Sequence, residues 1–356
     1  MKNNSFLKSY KNLKVLVTGS TGFKGAWLSF WLNKLGAKVV GVGLQPEKNF
    51  ILFNELKLKN KISQYICNIE NYKKLNEIVK KEKPEIIFHL AAQSIVSESF
   101  INPLKTINTN VIGSANILDI VKKNNINALV YITSDKCYLN TGSKKSFKEN
   151  DMLGGFDNYS STKASAEILF HSYFHSFFKN NKKISAATAR AGNVIGGGDF
   201  KNNRIIPDFF RAISKNKTML IRNPRATRPW QHVLEPLSGY LKLGSLLLDK
   251  KINSTVYPSW NFGPHKVNCK EVEEVISLFY NFLSINKNIK ILKNKSLVEA
   301  NFLSLNIEKA KKELNWQPRL NLKQCVKFTA EWYQNFYLKK NLEDFTHKQI
   351  DSYIKH

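Results

Sequence analysis

The sequence predicts an α/β fold: a doubly wound parallel sheet in the first half of the chain, followed by a smaller mixed α/β lobe. Three observations carry that prediction. Apolar strand-like runs alternate with helical patterns up to about residue 190. A glycine-rich turn follows the first run directly. Beyond residue 190 the alternation gives way to Gly- and Pro-rich loops mixed with short helices.

The runs read as buried strands because they are nearly continuous in Val, Ile, Leu and Ala, as strands covered on both faces must be. In order they are 13–18, 37–42, 63–67, 85–90, 128–133 and 184–189. Helical patterns fall between them, notably over 103–124 and 158–179. The expected division is a nucleotide-binding domain over 1–189 and a substrate domain over 190–356, with the run near 260–263 returning to the main sheet.

Length and composition narrow the function classes. At 356 residues and 42% hydrophobic content, the chain can build a full core. No apolar run approaches the length of a membrane span, and the N-terminal stretch does not read as a signal peptide. The four cysteines, Cys67, Cys137, Cys269 and Cys325, form no CxxC pair, so neither a metal site nor a disulfide framework is expected and a reduced, cytoplasmic setting is. The formal charge of +28 suggests nucleic acid, but lysine is spread everywhere and basic residues do not interleave with aromatics on one face, so no nucleic-acid partner is expected. Six of the seven arginines lie between 190 and 228. Clustered guanidinium forks in a lysine-rich chain mark that window as a candidate anion site.

The first turn, "VTGSTGFKG", places Gly19, Gly22 and Gly25 between a strand and a helix. Glycines there let the backbone approach a pyrophosphate, which the helix N-terminus attracts. The second strand ends in Leu44 and Gln45 rather than an acid, with Glu47 and Lys48 close behind, so NAD and NADP both remain open on these residues. Tyr159 and Lys163 stand four apart, one helical turn from each other. An ammonium so placed is expected to lower the phenol's pKa, making the tyrosine a proton acceptor. "TSDKCY" puts Ser134, Asp135 and Lys136 at a strand end.

With the glycine turn, "HLAAQ" (89–93), "TNVIG" (109–113), Ser134 and the Tyr–Lys pair on the page, the chain resembles the extended short-chain dehydrogenases/reductases that act on nucleotide sugars. The strings "TGFKGAWLSFWL", "TSDKCY", "ARAGNVIGGGDF", "ATRPWQHVLEPLSGYL" and "WNFGP" are similar to the subgroup of CDP-glucose 4,6-dehydratases. The resemblance implies a Rossmann-type fold and a tightly bound NAD. The cofactor residues it implies are Gly19, Thr21, Gly22, Phe23, Lys24, Gly25, Asn68, Ile69, Leu90, Ala91, Ala92, Gln93, Asn110 and Thr133, together with Tyr159 and Lys163.

Its implied chemistry borrows a hydride. Tyr159 takes the proton of the sugar's C4 hydroxyl while hydride passes to NAD, and Ser134 hydrogen-bonds that oxygen. Related dehydratases carry an Asp–Glu pair after the hydroxyl residue. Here Asp135 takes the place of the acid that protonates the C6 oxygen, and Lys136 that of the base at C5, as neutral amine or as a cation stabilising the enolate. Asn193, Arg204, Ile205, Arg228 and Glu299 are the implied contacts of a CDP-sugar substrate, and the helices 103–124 and 158–179 the implied surface of a homodimer or dimer of dimers. His232 and "NWQPRLNL" (315–322) are expected to be structural. A 4-epimerase or a dehydratase of another nucleotide sugar stays as the alternative, though an epimerase has no use for Asp135 and Lys136. A noncatalytic nucleotide-binding protein would not need Ser134, Tyr159 and Lys163 together.

Overall fold

The runs of β-branched and aliphatic residues become parallel strands. The computed structural model describes residues 4–46, 51–143, 145–252, 258–292 and 302–356. The first six strands are β1 (Lys14–Thr18), β2 (Lys38–Gly43), β3 (Ser63–Ile66), β4 (Ile86–His89), β5 (Ala128–Ile132) and β6 (Ser185–Ala191). Shorter strands follow: β7 (Val194–Ile195), β8 (Met219–Ile221), β9 (Thr227–Pro229), β10 (Gln231–His232), β11 (Ser259–Phe262), β12 (Cys269–Glu271) and β13 (Ile289–Ile291). The central sheet has seven strands in the order β11-β6-β5-β4-β1-β2-β3, and every adjacent pair is parallel. The order reverses between β1 and β4, where a doubly wound sheet opens a crevice at its carboxyl edge. Register sets that edge: Thr18 of β1 lies opposite Val42 of β2 and His89 of β4, and His89 lies opposite Tyr131 of β5.

The later segment contributes three two-stranded pairings, β7 with β10, β9 with β12 and β8 with β13. β11 lies beside β6 in the main sheet, so this lobe is joined to the sheet by backbone pairing as well as by connection.

Two helices are longer than their α-helical cores. Pro103–Ile107 and Gly113–Asn124 are joined through a π-helical turn, Asn108–Ile112, and Asn158–Tyr173 runs into a second π-turn, Phe174–Phe178. Each π-turn inserts a residue into the helical ladder and re-aims the side chains that follow, a change no hydrophobic period reveals. The helix Phe23–Lys34 is buried from Gly25 to Leu32. It has no solvent face because the C-terminal helix Leu342–Lys355 covers it, with Phe30 against His347 at 4.3 Å and Trp31 edge-on to Tyr353 at 5.8 Å.

Among the described residues, no helix is long and apolar enough to cross a membrane. "NWQPRLNL" is a packing element. The carboxylate of Glu235 accepts the Arg319 and Leu320 N–H groups at 2.8 and 2.6 Å, and Trp316 Nε1 donates to Ser238 Oγ. His232 is fully buried, with Nδ1 accepting from Leu234 N at 3.4 Å, and burial drives its pKa down to about 3.

Candidate active site

The glycine turn is shaped by close approach. Gly19 sits at φ +73°, and a Cβ there would lie 2.9 Å from Ala91 N. A Cβ on Gly25 would lie 2.0 Å from the Gly19 carbonyl oxygen, so no larger residue fits while the turn keeps this form. Gly43, at the end of β2, would meet Thr21 Oγ1 at 2.7 Å. Glycine at 19 and 25 therefore brings the strand end, the helix start and the Leu90–Ala91 loop together. The first-turn N–H groups of Phe23, Lys24 and Gly25 have no acceptor inside the helix, the arrangement an anion needs. A dinucleotide's pyrophosphate fits this cradle.

Along the same edge, His89 is held between Thr18 Oγ1 at 2.8 Å and Ser114 Oγ at 3.0 Å. Burial and the nearby Lys163 ammonium drive its pKa down to about 3, so it stays neutral. Asn110, inside the π-turn, is buried and ties three elements. Its Oδ1 accepts Gln93 N at 2.8 Å, and its Nδ2 donates to Gln93 O at 3.0 Å and Thr162 Oγ1 at 3.1 Å. It therefore fixes the loop after β4 against the helix that carries Tyr159. Gln93 braces the loop further by donating to Ile95 O and Thr106 Oγ1, each at 3.0 Å. Asn68 is exposed, and its Oδ1 accepts Glu70 N at 3.1 Å, leaving one lone pair for a ligand. Ile69 is buried, and a Cβ on Gly113 would come 2.7 Å from its Cγ1, so its side chain supports the loop from below.

The turn after β5 brings the proposed acid–base groups together. Ser134 Oγ donates to Asp135 Oδ1 at 3.0 Å and accepts Lys136 N at 3.3 Å. Asp135 is buried, and among the described residues its Oδ2 has no hydrogen-bond partner. A Cβ on Gly192 would lie 2.8 Å from that oxygen, so glycine leaves room for it. Burial raises the Asp135 pKa, although Lys136, Ser134, Arg228 and Lys24 all pull it down. A carboxyl so placed can hold a proton and give it up.

Tyr159 and Lys163 are both buried, with Lys163 Nζ 5.9 Å from the Tyr159 ring centroid. Burial, reinforced by repulsion from Lys24, lowers Lys163 to about 8. The expected lowering of the phenol is not what this pocket produces. Burial and the Asp135 carboxylate push Tyr159 up to about 12, against the pull of Arg204 and of a hydrogen bond with Ser134. The reason is desolvation: the pocket disfavours phenolate more than nearby cations favour it. Lys24 is itself lowered to about 8, by burial and by Arg204, with Asp135 opposing.

The arginine window divides. Arg190 is fully buried and its guanidinium binds Glu167 Oε2 at 2.7 Å, so it belongs to the core. Arg211 pairs with Asp208, and Arg222 donates to Asn203 Oδ1 at 2.9 Å. Arg204 reaches the crevice, donating to Asp199 Oδ2 and to Ser94 Oγ, each at 2.7 Å. Arg228 is buried on β9, donates to the Thr227 carbonyl at 3.0 Å and lies near enough to Asp135 to lower its pKa. Asn193 precedes β7 and Ile205 opens the helix Ile205–Ser214; both are half-buried. Glu299, Glu47 and Lys48 lie outside the described residues.

The model of the GDP-mannose 4,6 dehydratase family matches residues 16–329. The chain belongs to that family. A CDP-glucose 4,6-dehydratase of Salmonella typhimurium is 37% identical over 350 residues, covering 97% of each chain. A UDP-glucose 4-epimerase of Mycoplasma genitalium is 24% identical, over 91% of this chain and 97% of that one. Among solved structures, an epimerase of Methanothermobacter thermautotrophicus superposes with a TM-score of 0.80 at 23% identity, covering 94% of this chain and 96% of that chain. A dTDP-glucose 4,6-dehydratase of Bacillus anthracis, solved with NAD, does so at 0.75 and 22%, covering 91% and 97%. These structural likenesses establish the fold. The long match to a curated dehydratase makes the chain a carbon–oxygen lyase of the family.

In this GDP-mannose 4,6 dehydratase family member, the sequence reading missed several groups around the site. Asp199 and Ser94 hold Arg204, and Glu167 anchors the strand end at Thr133. For Glu167 a signal existed, since it lies four residues beyond Lys163 on the same helix. Ser94 carried none, because it meets Arg204 only across the crevice, and Asp199, five positions before Arg204, lies in a loop with no periodic pattern.

Proposed function

We propose that the chain is a nucleotide-sugar 4,6-dehydratase that turns CDP-glucose into CDP-4-keto-6-deoxyglucose. The observation that carries this is Asp135: a buried carboxyl with one oxygen that has no partner among the described residues, next to Lys136 and close to Tyr159 and Lys163. A 4-epimerase needs the tyrosine and the serine but no acid for a leaving water.

NAD fits the cradle of Gly19, Gly22 and Gly25, with the loop Leu90–Gln93, Asn110, Thr133 and Lys163 along its path and Asn68 and Ile69 toward its adenine end. When bound, it would supply the acceptor for the C4 hydride and the donor that returns it at C6, and its positive ring would add to the cationic field at the buried phenol. Tyr159 accepts the C4 hydroxyl proton and Ser134 donates a hydrogen bond to the same oxygen. The C4 ketone acidifies the C5 proton. Lys136, as the neutral amine, takes the C5 proton, Asp135 delivers its proton to the C6 hydroxyl, and water leaves as C5 and C6 become doubly bonded. Arg204, Arg228, Asn193 and Ile205 line the diphosphate side.

The cytidine preference rests on the relative at 37% identity. Two copies pair through the helices 103–124 and 158–179, which leave Leu104, Ile112, Ile168 and Phe177 between 42% and 73% exposed. The test is to offer CDP-, dTDP-, GDP- and UDP-glucose with NAD and read the alkali-induced absorbance of a keto sugar. Product from CDP-glucose alone is the expected result. A 4-epimer without keto sugar would overturn the reading.

A further inference from the structure

Behind the reacting groups lies a buried polar network that the proposed chemistry does not use. Glu167 is on the Tyr159–Lys163 helix, one turn past Lys163, and is fully buried. It accepts hydrogen bonds from Thr133 Oγ1, from Thr188 Oγ1 at 3.0 Å and from Arg190 Nη2 at 2.7 Å. Arg190, on β6, also donates from Nη1 to Tyr138 OH and to the Glu149 carbonyl, each at 2.8 Å. Thr133 and Tyr138 bracket the Ser134–Lys136 turn. Helix, turn and strand therefore meet at one ion pair with no exposed surface on either partner.

The network continues into the substrate lobe. Tyr138 OH donates to Asn261 Oδ1 at 2.7 Å, and Asn261 Nδ2 donates to Phe147 O at 3.0 Å and Asn306 O at 3.1 Å. Phe147 is laced to the segment 302–306: its N–H reaches Ser304 O at 2.9 Å and its carbonyl takes Asn306 N at 2.8 Å. At the far end of that segment, Phe302 bridges to Thr227, next to Arg228. A continuous chain of hydrogen bonds and backbone pairings thus runs from the diphosphate side to the acid–base turn.

We propose that the Glu167–Arg190 pair is a positioning device: it locks the Ser134–Lys136 turn to the Tyr159–Lys163 helix, and Tyr138 registers that turn against the substrate lobe. A buried ion pair is weak evidence for stability, because desolvation offsets most of the attraction. What such a pair supplies here is a single geometry, since the Glu167 oxygens and the Arg190 Nη groups find their partners only when helix, turn and β6 adopt one arrangement. An acid and a base at adjacent sugar carbons lose rate steeply when misplaced by an ångström.

The inference rests on the dehydratase reading, and its test uses the full-length enzyme with NAD and CDP-glucose. Tyr138→Phe removes one hydroxyl and leaves the ring stacked on Phe147, at 5.0 Å and 6°. It loosens the Asp135–Lys136 end of the turn more than the Tyr159 end, so elimination slows more than C4 oxidation. The expected result is kcat reduced about tenfold at unchanged KM, with a larger isotope effect from substrate deuterated at C5. Arg190→Lys, which keeps the charge but not the fork, should show the same pattern more strongly. If Arg190→Lys does not fold, Tyr138→Phe decides alone. A folded Tyr138→Phe enzyme with wild-type kcat overturns the proposal, as does a lower kcat with an unchanged isotope effect. Wild-type enzyme that makes no keto sugar would instead overturn the dehydratase reading, and this inference with it.

Discussion

Glu235 is the titratable group whose effect on the whole molecule can be worked most directly. Its carboxylate is buried, with one oxygen accepting Arg319 N and Leu320 N and the other accepting Tyr353 OH at 2.8 Å. Burial outweighs these donors and raises its pKa from 4.5 to about 7. Unfolded chains ionise this group near 4.5, whereas the folded chain keeps the proton until about 7. Between those values the native state binds more protons, so its stability falls as pH rises through the window and is unaffected by this group below it. An interval of that size corresponds to roughly 3 kcal/mol, at about 1.4 kcal/mol per pH unit.

Glu235→Gln removes the titration and keeps the contacts. The amide oxygen can accept the two backbone N–H groups, and its NH₂ can donate to Tyr353 OH, whose proton turns to Ser238 Oγ, 2.8 Å away. Denaturant unfolding from about pH 5 to about pH 8 should therefore show the wild type losing roughly 2 to 3 kcal/mol relative to the variant. Other groups titrate in both proteins and cancel in the difference. Parallel stability curves for the two proteins would refute the argument.

Lys136→Ala should lower turnover by about 10² to 10⁴ while substrate still binds, and near-normal keto-sugar formation would remove Lys136 from the reaction. Lys136→Arg separates its two roles, since a guanidinium keeps the charge but cannot take the C5 proton. Gly25→Ala must push the Gly19 carbonyl aside, because the added Cβ would lie only 2.0 Å from its oxygen, so calorimetry should show cofactor affinity reduced at least about tenfold. Leu104→Lys with Ile168→Lys should shift the species seen by light scattering from dimer to monomer, and an unchanged mass would exclude that helical face as the interface.

Much of the framework was legible in one dimension because its signals are local. Apolar runs such as 85–90 and 128–133 can be stable only where both faces are covered, and that condition alone predicts buried parallel strands. The glycine pattern announces itself because only a residue without Cβ survives at Gly19 and Gly25. Tyr159 and Lys163 share a helix face by spacing, and Ser134, Asp135 and Lys136 share a turn by adjacency. Each of these facts involves residues within a few positions of one another.

What the tertiary structure decided involves residues far apart. Arg190 was indistinguishable from the other arginines of its window until folding set it against Glu167, 23 residues earlier, and Asn261, 71 residues later, joined its network through Tyr138. Arg204 meets Ser94 across 110 positions. Electrostatic balance is of the same kind: whether Tyr159 rises or falls depends on how much water the completed pocket excludes. Spacing told which groups could meet, and only the folded chain set the dielectric in which they do.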